Sequence, residues 1–336
     1  MAGKAWIGGV LAAAALAAVV GTWAAYSRDM ADARARIEGR STVVQSPWGP
    51  IEYATLGEGP PVLAIHGSGG GFDQGLAMIG PLAKHGYRLI APSRFGYLRS
   101  GRPADASPEV QADALAWLVS HLGEERVIVA GGSAGALPAL QFAIRHPDRT
   151  QAVVVLVPAA YAPDRPPGEN AMGGPVGEAL TLTLLRSDFL FWAAIKLFPD
   201  AMTQAVLATD PALVHAADAA EQARVKSILQ GILPVTRRAA GLADDTRWAG
   251  TPPPYPLARI EAPLLAVSLQ DDLYGTYAAA RHTAAGAPNG RFVGYRTGGH
   301  VWVGRETEIW DAVARFLVET EPVAQARAAG QSAASN

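Results

Sequence analysis

From residue 61 onward, short apolar runs of strand length alternate with longer segments of helical periodicity. The apolar runs occupy residues 61–66, 87–93, 126–131, 151–158, 263–269 and 291–295. Continuous apolar runs of this length are typical of strands that helices cover on both faces of a sheet. Helical patterns lie at 74–85, 107–122, 134–146, 274–285 and 305–319. The alternation predicts an α/β fold with a doubly wound, mostly parallel sheet.

One interval interrupts this alternation. About a hundred residues separate the run that ends at Pro158 from the run that begins at Pro263. The interval opens with a Pro/Gly-rich loop at 161–177 and continues with apolar, helix-like sequence at 180–208 and a second helical stretch at 218–233. We therefore expect an inserted helical cap over 159–257, between two parts of the core at 31–158 and 258–320. The first core part begins with a charged spacer at 31–40 and two strands within 41–59, and the Ala-, Gln- and Ser-rich residues 321–336 are predicted to be a disordered tail.

The first thirty residues predict a membrane anchor. Residues 5–26 are 22 consecutive uncharged residues, enough for one membrane crossing, with Trp6, Trp23 and Tyr26 at the two ends. A cleaved signal peptide is the alternative, but its apolar region usually has only about 7 to 15 residues. The four arginines that follow the span favour a cytoplasmic catalytic domain: Arg28, Arg34, Arg36 and Arg40.

Composition narrows the classes of partner and chemistry. The net charge of −2 and the lack of a basic cluster interleaved with aromatics argue against nucleic acid as a partner. The absence of cysteine excludes disulfides, thiolate metal sites and a cysteine nucleophile. Neither HExxH nor clustered metal ligands occur in the sequence, so we expect no metal or organic cofactor.

The stretch VIVAGGSAGAL, residues 127–137, places Ser133 between glycines where a strand gives way to a helix. A strained strand-to-helix turn can hold a serine hydroxyl out of the fold at the positive end of a helix. The alternative is a tight turn in which Ser133 only caps the helix. Other residues in the chain must distinguish these two interpretations.

A nucleophilic serine needs a base and an acid that orients the base. Among the histidines, His300 is the one that lies in a loop just after the last predicted strand. Gly298 and Gly299 in this loop allow the imidazole to reach across the edge of the sheet. Asp271 and Asp272 follow the preceding strand, and either could cap the next helix. The chain order of serine, aspartate and histidine is that of nucleophile-elbow hydrolases.

The glycine-rich segment LAIHGSGGGFDQG, residues 63–75, follows the first apolar run and predicts an oxyanion hole. The backbone amide of Ser68 could pair with that of Ala134, the residue after the candidate nucleophile. A phosphate-binding loop is disfavoured, because the glycines do not complete GxGxxG and no lysine follows as in GxxxxGK[ST].

Five motifs in order, HGSGGG, SRFGYLRSGRP, GGSAG, LQDD and GGH, make residues 41–320 resemble the α/β-hydrolase superfamily. In relatives with a GxxD acid motif the acid is the fourth position, which falls on Asp272. Leu269 replaces the glycine of that motif, so Asp271 stays possible. HGSGGG also resembles the oxyanion loop of relatives that cleave carbon–carbon bonds in ring-fission products, although GGSAG lacks the Asn-Ser-Met sequence of that group. Serine at the elbow disfavours haloalkane dehalogenase and epoxide hydrolase mechanisms, which use aspartate.

Together these features predict a membrane-anchored serine hydrolase acting on an apolar carboxylic ester or related acyl substrate. Ser133, Asp272 and His300 are the predicted catalytic residues, with the amides of Ser68 and Ala134 as the oxyanion hole. A carbon–carbon bond hydrolase of the same fold and a non-catalytic ligand-binding protein are the two alternatives. The expected partners are the small substrate and a lipid bilayer.

Overall fold

The computed structural model describes residues 2–165 and 183–334. Most of the predicted Pro/Gly-rich loop at 161–177 lies outside the described residues, as do residues 335–336 of the predicted tail.

Eight strands form one sheet in the order β1-β2-β4-β3-β5-β6-β7-β8. Only the β1/β2 and β2/β4 pairs are antiparallel, and the remaining pairs are parallel. The prediction of a mostly parallel α/β sheet is therefore confirmed. In chain order the strands are β1 (Thr42–Ser46), β2 (Gly49–Leu56), β3 (Pro61–Ile65), β4 (Arg88–Pro92), β5 (Val127–Gly132), β6 (Thr150–Leu156), β7 (Leu264–Leu269) and β8 (Gly290–Tyr295).

Twelve α-helices are found in the described chain. They are α1 (Ala2–Ala35), α2 (Phe72–Ile79), α3 (Pro81–Lys84), α4 (Pro108–His121), α5 (Ala136–Arg145), α6 (Asp188–Leu197), α7 (Pro199–Leu207), α8 (Pro211–Ala216), α9 (Ala219–Gly231), α10 (Ala239–Gly250), α11 (Thr276–Gly286) and α12 (Glu306–Ala334).

The sheet is buried on both faces. Alternate residues of β5 contribute to two hydrophobic clusters, because successive side chains of a strand point to opposite faces. Val127 and Val129 pack in the cluster that contains residues of α4, α5 and α11, whereas Ile128 and Ala130 pack in the cluster that contains residues of α2, α3 and α12. This double coverage explains why the strands read as continuous apolar runs.

Two helix predictions differ from the structure. The predicted helix at 74–85 is two helices, α2 and α3, separated at Gly80, since Pro81 has no N–H to continue the first helix. The predicted helix at 305–319 continues as α12 to Ala334, through most of the predicted tail at 321–336. The disorder of that tail stays a prediction. The tail is rich in alanine, which favours helix, although it also contains Pro322 and Gly330.

The inserted cap contains α6 to α10 and packs against the C-terminal end of α1. Met30 and Ala33 of α1 are buried in a third hydrophobic cluster with Phe191, Trp192 and Ile232 of the cap. The exposed N-terminal part of α1 and the first half of the predicted spacer, residues 31–35, thus form one continuous helix. The domain boundaries themselves stay predictions.

Candidate active site

Ser133 lies in a strained turn between β5 and α5. Its φ angle is +50°, a left-handed backbone conformation that is rare for residues other than glycine. A short 3-10 turn, Ser133–Gly135, links the strand to the helix. Strain at such a position is typical of functional sites, where surrounding structure holds the residue in place.

The glycines around Ser133 permit close backbone approaches. A Cβ atom on Gly135 would lie 2.4 Å from the carbonyl oxygen of His66, and one on Gly131 would lie 2.5 Å from the oxygen of Gly135. Side chains at these positions would push the turn away from β5 and from the loop after β3. The glycine requirement seen in the sequence is therefore a packing requirement.

Three side chains from the carboxyl ends of different strands form a hydrogen-bonded chain at Ser133. The His300 Nε2 atom lies 3.0 Å from Ser133 Oγ, and His300 Nδ1 lies 2.8 Å from Asp272 Oδ2. Because a carboxylate only accepts, Nδ1 carries the proton and Nε2 is free to accept one from the serine hydroxyl. His300 and Asp272 are buried, so the ion pair formed on proton transfer would be poorly screened by water.

The carboxylate of Asp272 is held by two further donors. Its Oδ1 atom accepts a hydrogen bond from the Tyr274 backbone N–H at 2.9 Å, and its Oδ2 atom accepts one from the Thr276 hydroxyl. Thr276 is in turn hydrogen-bonded to Ser268 of β7 at 2.8 Å. These contacts fix the direction of the carboxylate. The sequence analysis did not identify Thr276, and no motif marks it.

The ring of Tyr274 packs against the imidazole of His300. The two rings meet edge to face, with centroids 5.0 Å apart. Burial and the neighbouring Asp272 carboxylate raise the pKa of Tyr274 to about 12, so the phenol stays protonated. Its hydroxyl reaches the Val206 carbonyl oxygen of α7 at 3.3 Å, which connects the site to the cap.

Asp271 lies on the other side of the backbone and contacts a different loop. Its two carboxylate oxygens accept the backbone N–H groups of Gly298 at 3.0 Å and Gly299 at 2.9 Å. Gly298 and Gly299 both have positive φ angles. Asp271 therefore holds the loop that presents His300, while Asp272 contacts the imidazole itself.

The loop after β3 leaves the Ser68 amide available beside Ser133. The Gly67 N–H donates to Gln74 Oε1 at 2.9 Å, and the Gly69 N–H donates to the Tyr97 hydroxyl at 3.3 Å. No acceptor for the Ser68 N–H is found among the described residues. The Ala134 amide is in the first turn of a helix, where N–H groups have no intrahelical acceptor. The predicted pair of oxyanion donors therefore has free hydrogens.

A buried network below this loop was missed by the sequence analysis. The Arg94 guanidinium donates to the carbonyl oxygens of His66 at 2.9 Å and Gly67 at 3.1 Å. It also pairs with both carboxylate oxygens of Asp245 in α10, which accepts a further hydrogen bond from Tyr97. Arg94 lies within the motif SRFGYLRSGRP, but nothing in the sequence indicates that its partner lies in the cap.

His66 is neutral within this network. Its Nε2 atom accepts the Arg94 backbone N–H at 2.9 Å, and its Nδ1 atom, 2.7 Å from the Gly67 carbonyl oxygen, donates to it. Complete burial, together with the positive charge of Arg94, holds the pKa of His66 well below its ordinary value. The imidazole thus supports the loop as an uncharged group.

An arginine of the cap, Arg238, fixes the far end of the same loop. Arg238 is fully buried, and it donates to the Gly70 carbonyl oxygen and to both carboxylate oxygens of Asp73, at 3.1 and 2.8 Å. The Asp73 carboxylate supplies the counter-charge that a buried guanidinium needs. The loop that carries Ser68 is therefore tied to the cap at both ends.

Comparison with known proteins agrees with the fold. A family model described as "alpha/beta hydrolase fold" matches residues 60–303, which is more than half of the chain. The chain therefore belongs to the α/β-hydrolase fold family, as the motifs predict.

Individual relatives cover the chain to different extents. The 2-hydroxy-6-oxo-6-phenylhexa-2,4-dienoate hydrolase of Comamonas testosteroni is 34% identical over 113 residues, which are 32% of this chain and 40% of that enzyme. An α/β-hydrolase fold protein from Nakamurella multipartita is 26% identical with a TM-score of 0.61, covering 82% of this chain and 98% of that one. A membrane phospholipase A structure is 22% identical with a TM-score of 0.63, covering 94% and 99%. The chain thus spans about two fifths of the first curated relative and nearly all of the two structural ones.

Proposed function

We propose that this protein is a membrane-anchored serine hydrolase that cleaves an apolar carboxylic ester or a related acyl substrate. The observation that carries the proposal is the hydrogen-bonded chain from Ser133 through His300 to Asp272, at 3.0 and 2.8 Å, beside two free backbone amides. Each of these groups has a defined role in acyl transfer.

In the first step the Ser133 Oγ atom attacks the substrate carbonyl carbon while its proton passes to His300 Nε2. Asp272 stabilises the resulting imidazolium through Nδ1. The carbonyl oxygen becomes an oxyanion that accepts hydrogen bonds from the Ser68 and Ala134 amides, each worth about 3 to 4 kcal/mol in the transition state. His300 then protonates the leaving alcohol, and an acyl ester on Ser133 remains.

In the second step water replaces the alcohol. His300 removes a proton from the water as it attacks the acyl carbon, and the same two amides stabilise the second oxyanion. Collapse of this intermediate returns the proton to Ser133 and releases the carboxylic acid.

The cap provides apolar surface beside the oxyanion loop. The Ile232 side chain lies 3.4 Å from the position that a Cβ atom on Gly69 would occupy, and it belongs to the same buried cluster as Phe191 and Trp192. An apolar wall next to the reacting carbonyl supports an apolar acyl substrate.

The membrane attachment is proposed from α1. The segment Gly9–Ala35 is long and apolar enough to cross a bilayer, and none of its most apolar window is buried in the protein. Arg28, Arg34, Arg36 and Arg40 follow the uncharged residues 5–26, which supports a catalytic domain on the cytoplasmic side. A signal peptide passes the same length and composition test, so the mass of the mature N-terminus, measured on membrane-extracted protein, separates the two.

The main test combines Ser133→Ala with an activity-based probe. A fluorophosphonate should form an adduct on Ser133 of the folded protein, and Ser133→Ala should lower ester turnover by several orders of magnitude with its thermal midpoint kept. Ser227→Ala, at an exposed position of α9, is the matched serine control and should keep both labelling and turnover. Absence of the adduct in wild-type protein would favour a non-catalytic ligand-binding role.

A carbon–carbon bond hydrolase is the second candidate, favoured by the similarity to the Comamonas testosteroni enzyme. Turnover of a short p-nitrophenyl ester is to be compared with turnover of a vinylogous diketone on the same preparation. Faster cleavage of the diketone would replace the ester assignment while leaving the role of Ser133 to be tested separately.

A further inference from the structure

Helix α6 of the cap has two apolar faces, but only one of them is covered. Phe191, Trp192 and Ile195 are buried in the cluster between the cap and α1. The other side carries Phe189 and Leu190, which are 40% and 43% exposed, and Leu197, which is 70% exposed. Phe198, directly after the helix, is 63% exposed. Contiguous apolar surface of this kind on a folded domain marks an interaction site.

The exposed residues lie next to the proposed anchor. The Tyr26 ring of α1 meets Phe189 and Trp192 edge to face, with centroids 5.3 and 5.4 Å apart. One turn further along α1, Asp29 accepts a hydrogen bond from Trp192 Nε1 at 3.0 Å and pairs with Lys196 Nζ at 2.7 Å. These contacts fix α6 against the end of the apolar part of α1.

The length of α1 sets the depth at which this contact occurs. Twenty residues separate Trp6 from Tyr26, and a helix of that length rises about 30 Å, which is about the thickness of the hydrocarbon core. With Trp6 at one boundary, Tyr26 lies at the other, where aromatic side chains are favoured. Phe189 contacts Tyr26, so it lies at the same depth, while Arg28 and Lys196 lie at the level of the lipid headgroups.

We propose that Phe189, Leu190, Leu197 and Phe198, the docking face of α6, insert into the bilayer leaflet at the end of the anchor. The inference rests on the proposed anchor and is independent of which bond the active site cleaves. Lipid is favoured as the occupant because the face continues the apolar surface of α1 at interfacial depth, and because Lys196 is placed to meet anionic headgroups.

Membrane docking of α6 would place the active site within reach of lipid-dissolved substrate. The buried side of α6 belongs to the cluster that includes Ile232, and Ile232 contacts the oxyanion loop at Gly69. Val301, next to His300 in the chain, belongs to the same cluster. Apolar packing is therefore continuous from the docking face to both sides of the candidate site.

The natural absence of cysteine allows a direct depth measurement on the full chain. We would introduce Leu197→Cys or Phe198→Cys, label each with the fluorophore NBD, and reconstitute the protein in phosphatidylcholine–phosphatidylglycerol vesicles. Doxyl quenchers would be attached to lipids either near the headgroup or near the bilayer centre. Leu11→Cys reports the anchor. Glu125→Cys is the control outside the membrane, because Glu125 is exposed before β5, at the amino ends of the parallel strands and opposite the ends that carry the active site.

We expect blue-shifted NBD emission at positions 197 and 198, and we expect the shallow quencher to reduce this emission. The deep quencher should reduce the emission at position 11, and neither quencher should reduce the emission at position 125. Quenching at 11 without quenching at 197 and 198 would overturn the docking proposal and leave the anchor intact. Absence of quenching at all four positions would overturn the anchor and docking proposals together. Blue-shifted emission at 197 and 198 that no lipid quencher reduces would show a protein partner, such as a second copy of the chain, and would also overturn docking.

Discussion

At the scale of single residues, the two adjacent aspartates after β7 have different roles. Asp272 contacts His300, Tyr274 and Thr276, and its carboxylate direction is fixed by all three. Asp271 accepts the amides of Gly298 and Gly299 and so shapes the loop before His300. Adjacent residues that point to opposite sides of the backbone allow one dipeptide to hold both the imidazole and its loop.

The two aspartates should respond differently to neutralisation. Asp272→Asn removes the acceptor that fixes the imidazole tautomer, and we expect kcat for the ester to fall by about four orders of magnitude. Asp271→Asn keeps one acceptor oxygen for the glycine amides and should cause a much smaller loss. Steady-state kinetics of both variants on one ester provides the comparison, and a larger loss in Asp271→Asn would show that Asp271 is the acid.

The lowered pKa of His66 should make the free energy of unfolding depend on pH. Its pKa is depressed in the folded protein by burial and by Arg94, whereas the unfolded chain has an ordinary imidazole. The unfolded state therefore binds the proton first as the pH falls. The contribution of His66 to the free energy of unfolding is fully present above about pH 6.5. Below that pH the contribution falls by up to about 1.4 kcal/mol per pH unit.

The change of the free energy of unfolding with pH can be measured by denaturant unfolding between pH 7.5 and pH 5 in wild type and in His66→Gln. The variant should show a shallower decrease below pH 6.5, since glutamine does not titrate. His85→Gln, at an exposed position, is the control and should keep the wild-type slope. Equal slopes in wild type and His66→Gln would contradict a depressed pKa at His66.

At the scale of elements, the cap is bonded to the loop that forms the proposed oxyanion hole. Asp245 of α10 pairs with Arg94, whose guanidinium holds the carbonyl oxygens of His66 and Gly67. Arg238, which precedes α10, holds the carbonyl oxygen of Gly70. A change in the position of α10 would therefore move the Ser68 amide relative to Ser133.

Neutralising Asp245 tests this coupling. In Asp245→Asn the buried Arg94 loses its counter-charge, and losing one partner of a buried pair costs about 3–5 kcal/mol. We expect a lower thermal midpoint and, at temperatures where the variant stays folded, a lower kcat with little change in KM. The neighbouring Asp244→Asn breaks an exposed pair with Arg102 and should cost at most about 1 kcal/mol with no effect on kcat. Equal kinetics for the two variants would show that the network is structural only.

At the scale of the whole molecule, the two ends of α1 lie in different environments. Its described residues up to Ala24 are exposed, whereas Met30 and Ala33 are buried against the cap. Arg36, just after the helix, donates to the Gln230 carbonyl oxygen of α9 at 2.7 Å. The C-terminal end of α1 is therefore part of the folded domain.

Two truncations should separate these environments. Removing residues 1–22 should leave the thermal midpoint unchanged, because the side chains that the structure describes in this segment are exposed. Removing residues 1–35 exposes the cap surface covered by Met30, and loss of one such buried side chain costs about 2–5 kcal/mol. We expect its thermal midpoint in detergent to be lower by several degrees, and equal midpoints would show that the cap is stable without α1.

The alternation of strands and helices, the elbow at Ser133, and the loops that carry His300 and Ser68 could all be predicted from the sequence. These features depend on apolar periodicity and on glycines at tight approaches, which are local properties of the chain. The ends of most core strands and helices fall within one or two residues of their predicted positions for the same reason.

Which aspartate contacts His300 and how the cap is joined to the rest of the molecule follow from the three-dimensional packing. The bonds from Arg94 to Asp245, from Arg238 to Gly70 and from Trp192 to Asp29 join residues 151, 168 and 163 positions apart. Such partners are chosen by the packing of whole elements rather than by neighbouring residues, and a charged residue carries no local sign of whether its partner is water or a distant side chain. The extension of α12 to Ala334 was missed for a different reason, because a polar, alanine-rich segment is compatible with both helix and disorder.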